Sequence, residues 1–184
     1  GMGNSIILDP YDVYRMTTGM GKSMQELLAA SVELNVVDGV ILPNLKMQGA
    51  EEACAYLDGE GRCSIHPYRP GICRLFPLGR YYENGGFSYF LQTGECAKEN
   101  RSKIKVSKWI DTPDLTRNQQ FTLQWHDLLH AMEERLTGED EGKQREENLL
   151  LLRLFYLLPY EGTIDFYTQF TERMEHWNGQ NGQI

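Results

Sequence analysis

The 184-residue chain lacks any apolar run long enough to cross a bilayer as a helix. Its most apolar stretch, residues 149–158, is broken by Arg153 and reaches half of the roughly 20 residues required. Positive charge is also in deficit, with 18 Lys and Arg against 26 Asp and Glu and a net charge of −8. General nucleic-acid binding and attachment to anionic membranes both depend on clustered basic residues, so neither is expected. The opening Gly1-Met2-Gly3-Asn4-Ser5 has no basic or apolar region of a secretory signal, and a Gly ahead of Met resembles a tag remnant. Four cysteines are too few for a disulfide-stapled scaffold. The expected compartment is the reducing cytoplasm, where thiols stay free for metals. Paired C-x-x-C motifs, a G-x-S-x-G elbow and a dinucleotide fingerprint are missing too. Gly21-Lys22-Ser23 imitates the end of a phosphate loop, but Met16 stands where that loop needs glycine.

What is present suits a folded protein with one dominant core: 41% apolar, 24% charged and 11% aromatic residues. Asp9-Pro10-Tyr11-Asp12 supplies an N-cap, a first-turn proline and an early carboxylate, and Gly19 is expected to end that first helix. Ser23-Met24-Gln25-Glu26 reads as a capping box opening a second helix through Leu27, Leu28 and Val32. Asp38-Gly39 between apolar pairs predicts a two-residue hairpin. Turns are expected at Asp58-Gly59-Glu60-Gly61 and Glu83-Asn84-Gly85-Gly86, with a strand from Phe87 to Leu91. Beyond Lys103 the pattern turns helical: Phe121, Trp125, Leu128, Leu129, Met132 and Leu136, stopped by Gly138; residues 149–158, ended by Pro159; then Phe166, Phe170, Met174 and Trp177. The tail from Asn178 to Gly182 is expected to fray. The fold class is therefore α+β, a small cysteine-clustered segment with short antiparallel strands packed with a mostly helical C-terminal portion. We divide it into a cysteine-cluster region, 1–110, and a helical region, 111–184.

Cys54, Cys63, Cys73 and Cys96 fall in one turn-rich segment, separated by eight, nine and twenty-two residues. Four thiolates complete a tetrahedral set, suiting zinc or an iron–sulfur cluster equally. Either site carries net negative charge, which Arg69, Arg74 or His66 could offset while donating hydrogen bonds to sulfur. His66 could also stand in for Cys96 in a Cys₃His arrangement. Ordinary buried thiols, or two disulfides in one of three pairings, are the alternative.

Cys54-Ala55-Tyr56-Leu57-Asp58, followed by Gly61-Arg62-Cys63-Ser64-Ile65-His66 and by Arg69-Pro70 and Cys73-Arg74-Leu75-Phe76-Pro77, resembles the YkgJ-like cysteine-cluster family, proposed to chelate zinc or iron. That group includes the flagellin lysine N-methylases. The likeness extends upstream to Ile7-Leu8-Asp9-Pro10-Tyr11-Asp12-Val13 and downstream to Cys96. It covers roughly the first 110 residues. The C-x-x-C-C group this family carries ahead of the Ile6–Asp12 segment has no counterpart in these residues. The resemblance implies a metal ion as partner, Zn²⁺ or alternatively an iron–sulfur cluster, and names no reaction.

Three functions follow. The first is a cytoplasmic metal-binding protein. The second is an iron–sulfur redox or group-transfer enzyme with a substrate pocket near Arg69 or Arg74. The third is a metal-stapled interaction module exposing Phe166, Phe170 and Met174. His126-Asp127-Leu128-Leu129-His130 resembles the H-E-x-x-H zinc motif, but with a shorter carboxylate and no third ligand it reads as solvated helix face. Glu51, Glu52, Glu133 and Glu134 read as solvated faces as well.

Overall fold

The computed structural model describes residues 6–92, 94 and 103–181. Helix α1 (Pro10–Met20) starts as its sequence requires: Asp9 accepts from the Asp12 amide, Asp12 accepts from the Asp9 amide, and Pro10 takes the first turn. Gly19 lies inside this helix. The stop is Gly21, which takes the left-handed conformation at φ 63° and satisfies the Thr17 carbonyl. Helix α2 (Met24–Ala30) opens on the Ser23–Glu26 capping box. It ends before Val32, which instead begins a strand, because Ser31 closes the last turn and Val32 pairs with Leu45. Gly21-Lys22-Ser23 is thus a helix stop followed by a helix start.

Strands β1 (Ile6–Ile7), β2 (Val32–Val37) and β3 (Val40–Leu45) form an antiparallel sheet in the order β1-β3-β2. Asp38 and Gly39, at φ 52° and 81°, make the two-residue turn that sets Val37 opposite Val40. The central strand is buried along nearly its whole length, and the β2 edge leaves Leu34 and Val36 exposed. Two smaller pairs follow: β4 (Met47–Gln48) with β5 (Ala53–Cys54), and β6 (Leu78–Glu83) with β7 (Gly86–Leu91). Asn84 and Gly85, both at positive φ, turn the second of them. Between the two pairs lie a single 3₁₀ turn (His66–Tyr68) and the five-residue helix α3 (Gly71–Leu75).

The remainder is helical: α4 (Val106–Ile110), α5 (Leu115–Leu136), α6 (Glu141–Leu152), a π-helical turn (Arg153–Leu157) and α7 (Phe166–Asn181). The acidic stretch after Gly138 belongs largely to a helix start, since Asp140 caps α6 by accepting from the Lys143 amide. Residues 178–181 continue α7 where fraying was expected. No described helix is long and apolar enough to cross a membrane.

Aromatic rings fill the core between these helices. Phe121 meets Phe166 and Phe170 edge-on at 5.1 and 4.8 Å, and Trp125 meets Phe155 at 5.0 Å. Phe166 and Phe170 are therefore core residues, and Met174 packs against the same core, so α7 does not expose the apolar patch of the interaction-module reading. The π-helical turn leaves carbonyls without helical partners. Buried Arg173 supplies them, its guanidinium donating to the Leu154, Leu158 and Pro159 carbonyls at 2.8–2.9 Å over the Tyr160 ring. Residues of both regions share this core: Leu8, Val13 and Met16 are buried in the same cluster as Phe155 and Phe170. Tyr156 Oη donates to the Leu8 carbonyl, and Asn148 bridges the hairpin by accepting from the Ile41 amide and donating to the Gly39 carbonyl.

Candidate metal centre

Each described cysteine comes from a different local device. Cys54 sits on β5, buried, opposite Met47, and its carbonyl accepts from the Leu57 amide to start the following loop. That loop is held by Asp58, whose carboxylate accepts from the Glu60 and Arg62 amides at 2.9 Å each; these hydrogen bonds, the Arg62 amide first, hold its pKa below the ordinary value. Asp58-Gly59-Glu60-Gly61 is therefore a turn that returns the chain, with Cys63 bridged to Leu57. Ser64 donates to the Tyr56 carbonyl through both its amide and its hydroxyl. Cys73 lies in α3, a helix that follows Pro70 and whose Gly71 amide donates to Asp12 Oδ1 at 2.7 Å. The upstream and downstream portions of the recognised motif are thus tied directly to each other.

Burial pushes the Cys73 thiol up to about 12, and the negative charges of Asp12, Cys54 and Cys63 add to the effect. The three thiols are consequently electrostatic neighbours. Each is free of a disulfide, which removes the two-disulfide alternative, because any such pairing would join two of these three. In this environment the Cys73 sulfur stays protonated at neutral pH, and a cation replacing that proton would relieve the repulsion. Among the described residues no three His, Cys, Asp or Glu side chains stand at ligand spacing. Cys96 lies outside the described residues. The donors fit a thiophilic metal in type, and a bound metal would need to draw them together.

The cationic candidates have other partners. His66 is exposed, and its Nε2 accepts from Arg69 Nη1 at 2.7 Å. The Arg69 carbonyl accepts from Arg74 Nη1 at 2.6 Å, and Arg74 Nε donates to Thr112 Oγ1 at 3.3 Å. Arg74 is 5% exposed and crosses the Tyr11 ring at 5.8 Å. The three residues form a chain that braces the loop carrying Cys73. Their described hydrogen bonds go to imidazole, carbonyl and hydroxyl groups.

The sequence reading missed a second feature. Asp9, Asp12, Arg74, Arg80, Tyr82 and His126 line one cavity. Burial raises the pKa of both aspartates, and for Asp9 the charge of Asp12 raises it further. His126, read as a solvated face residue, is half-buried and stacks on Tyr82 with ring centroids 3.6 Å apart and planes 2° from parallel. His130 fits the expectation: it is exposed, 3.7 Å from Glu134. No local pattern announces the cavity, because its members come from α1, α3, β6 and α5.

No curated protein and no solved structure matches this chain. One family does: residues 5–93 match CxxCxxCC, described as "Putative zinc- or iron-chelating domain". That match spans α1, the three described cysteines and both small strand pairs, and it is the cysteine-cluster family that residues 54–77 resemble.

Proposed function

We propose that this chain is a cytoplasmic metal-binding protein whose centre is held by Cys54, Cys63, Cys73 and Cys96. Zinc is the preferred metal, and His66 is the substitute should Cys96 not ligate. The observation that carries the reading is the presence of three disulfide-free thiols, on β5, the Cys63 loop and α3, with the charges of Cys54 and Cys63 bearing on Cys73, inside the segment that matches a chelating family. A bound Zn²⁺ would supply a cross-link among elements too short to hold one another by packing. The protein's own part is to present the sulfurs: Asp58 turns the Cys63 loop, and Asp12 anchors the first residue of α3.

Elemental analysis with an optical spectrum, on full-length protein from iron-replete cells purified without oxygen, tests this. Roughly one zinc per chain without visible absorption is expected. Several irons with matching sulfide would shift the reading to the redox or group-transfer enzyme. Metal-free protein that gains no stability from added Zn²⁺ or Fe²⁺ would overturn both.

A further inference from the structure

The cavity beside α3 measures about 370 Å³, within the range of small-molecule sites. Its lining includes two carboxylates, Asp9 and Asp12, and two guanidinium groups, Arg74 and Arg80. Both arginines lower the cost of charging Asp9, so they lie within its electrostatic reach. Among the described residues, however, none of the four forms an ion pair with another. Arg80 Nε is buried and has no hydrogen-bond partner among the described residues. Buried opposite charges held apart, with a donor left unused, are expensive unless something between them satisfies both. The rest of the lining mixes apolar side chains, Leu75, Leu78 and Trp125 among them, and the stacked Tyr82 and His126 rings with the polar Gln92, Thr112, Asn118 and Thr122.

A ligand complementary to this set of groups carries one positive group, one negative group and an apolar remainder. We propose that the cavity binds a free α-amino acid with an apolar side chain, its carboxylate on Arg80 and its ammonium on Asp9. Trp125 and the leucines then receive the side chain. Binding needs no metal, so this inference stands or falls separately from the cysteine centre, although α3 contributes neighbouring residues, Cys73 and Arg74, to the two places.

The test is isothermal titration and thermal melting of the full chain with free apolar L-amino acids up to about 10 mM, enough to see a Kd near 1 mM. N-acetylated and carboxamide derivatives of the same amino acids are titrated in parallel. Saturable binding of at least one free amino acid is expected, with both blocked derivatives failing. Arg80→Gln should weaken it by about tenfold or more while melting like the wild type. Should Arg80→Gln fold poorly, Asp9→Asn, which preserves the helix cap, should weaken binding similarly. The proposal is overturned if no free amino acid binds, if a blocked derivative binds as well as its parent, or if a folded variant binds unchanged.

Discussion

Residues 46–77 and the helices after Val106 obey different physics. The helical part has long elements and a continuous aromatic core, whereas the cysteine segment has two-residue strands, one 3₁₀ turn and a five-residue helix. Within 46–77 the buried apolar side chains are Cys54, Ile65, Pro70 and Leu75, too few to offset the entropy of ordering that length of chain. Side-chain-to-backbone hydrogen bonds do part of the work, at Asp58, Ser64 and Asp12. The segment is shaped by polar staples and thiols, the helical part by exclusion of water.

That contrast can be broken at its strong end first. Phe155→Ala removes a fully buried ring in contact with Trp125, Phe170 and Trp177 and should cost about 3–5 kcal/mol. Urea melts followed by far-ultraviolet dichroism would show the loss as a lower midpoint for the whole protein. Next, Cys63→Ser should abolish metal binding and raise amide exchange across residues 46–77 while leaving α5 protected; uniform exchange over both regions would erase the distinction. Asp12→Ala removes the reciprocal half of the α1 capping box, the acceptor for the Asp9 amide, and the acceptor for Gly71, with an expected loss of about 1–3 kcal/mol and weaker metal retention, measurable by melting and by competition with a chelator. The smallest effect belongs to the exposed Arg117–Asp165 pair. Hydrogen bonds from Thr168 and Arg117 hold the Asp165 pKa below its ordinary 3.8 despite the opposing cost of burial. Its contribution is therefore present above that value and disappears as pH falls through the lower folded value. Asp165→Asn should differ slightly from wild type in melting temperature at pH 6 and approach it as pH falls through the lowered folded value of Asp165.

The elements legible from sequence were those set by neighbouring residues. Asp9 through Asp12, Ser23 through Glu26 and Asp38-Gly39 each carry the atoms that decide their own geometry. Gly19 misled because a helix tolerates a glycine two residues before its stop at a cost of about 1 kcal/mol, whereas Gly21 meets the left-handed position that a stop requires. Val32 misled because its apolar character fits a helix face as well as the start of β2, and only the partner Leu45 decides between them. At the cysteines, the family resemblance named the residues, and local turns explain how Cys54 and Cys63 come near each other. The link from Asp12 to Gly71, 59 residues away, has no local signal. The same holds for Arg80, Tyr82 and His126, whose shared cavity exists only after β6 docks near α5.

Asn148 carries a consequence for the route to this fold. It joins α6 to the amide of Ile41, 107 residues earlier, and to the carbonyl of Gly39 across a similar span. A hairpin like β2–β3 closes its own turn in microseconds, but the amide side chain can clasp it only after a long loop has surrendered its freedom. Mean sequence separation of this kind slows folding more than it lowers stability. The Asn148 clasp is thus expected to form after the hairpin it holds, with quick local turns preceding a contact between residues more than a hundred positions apart.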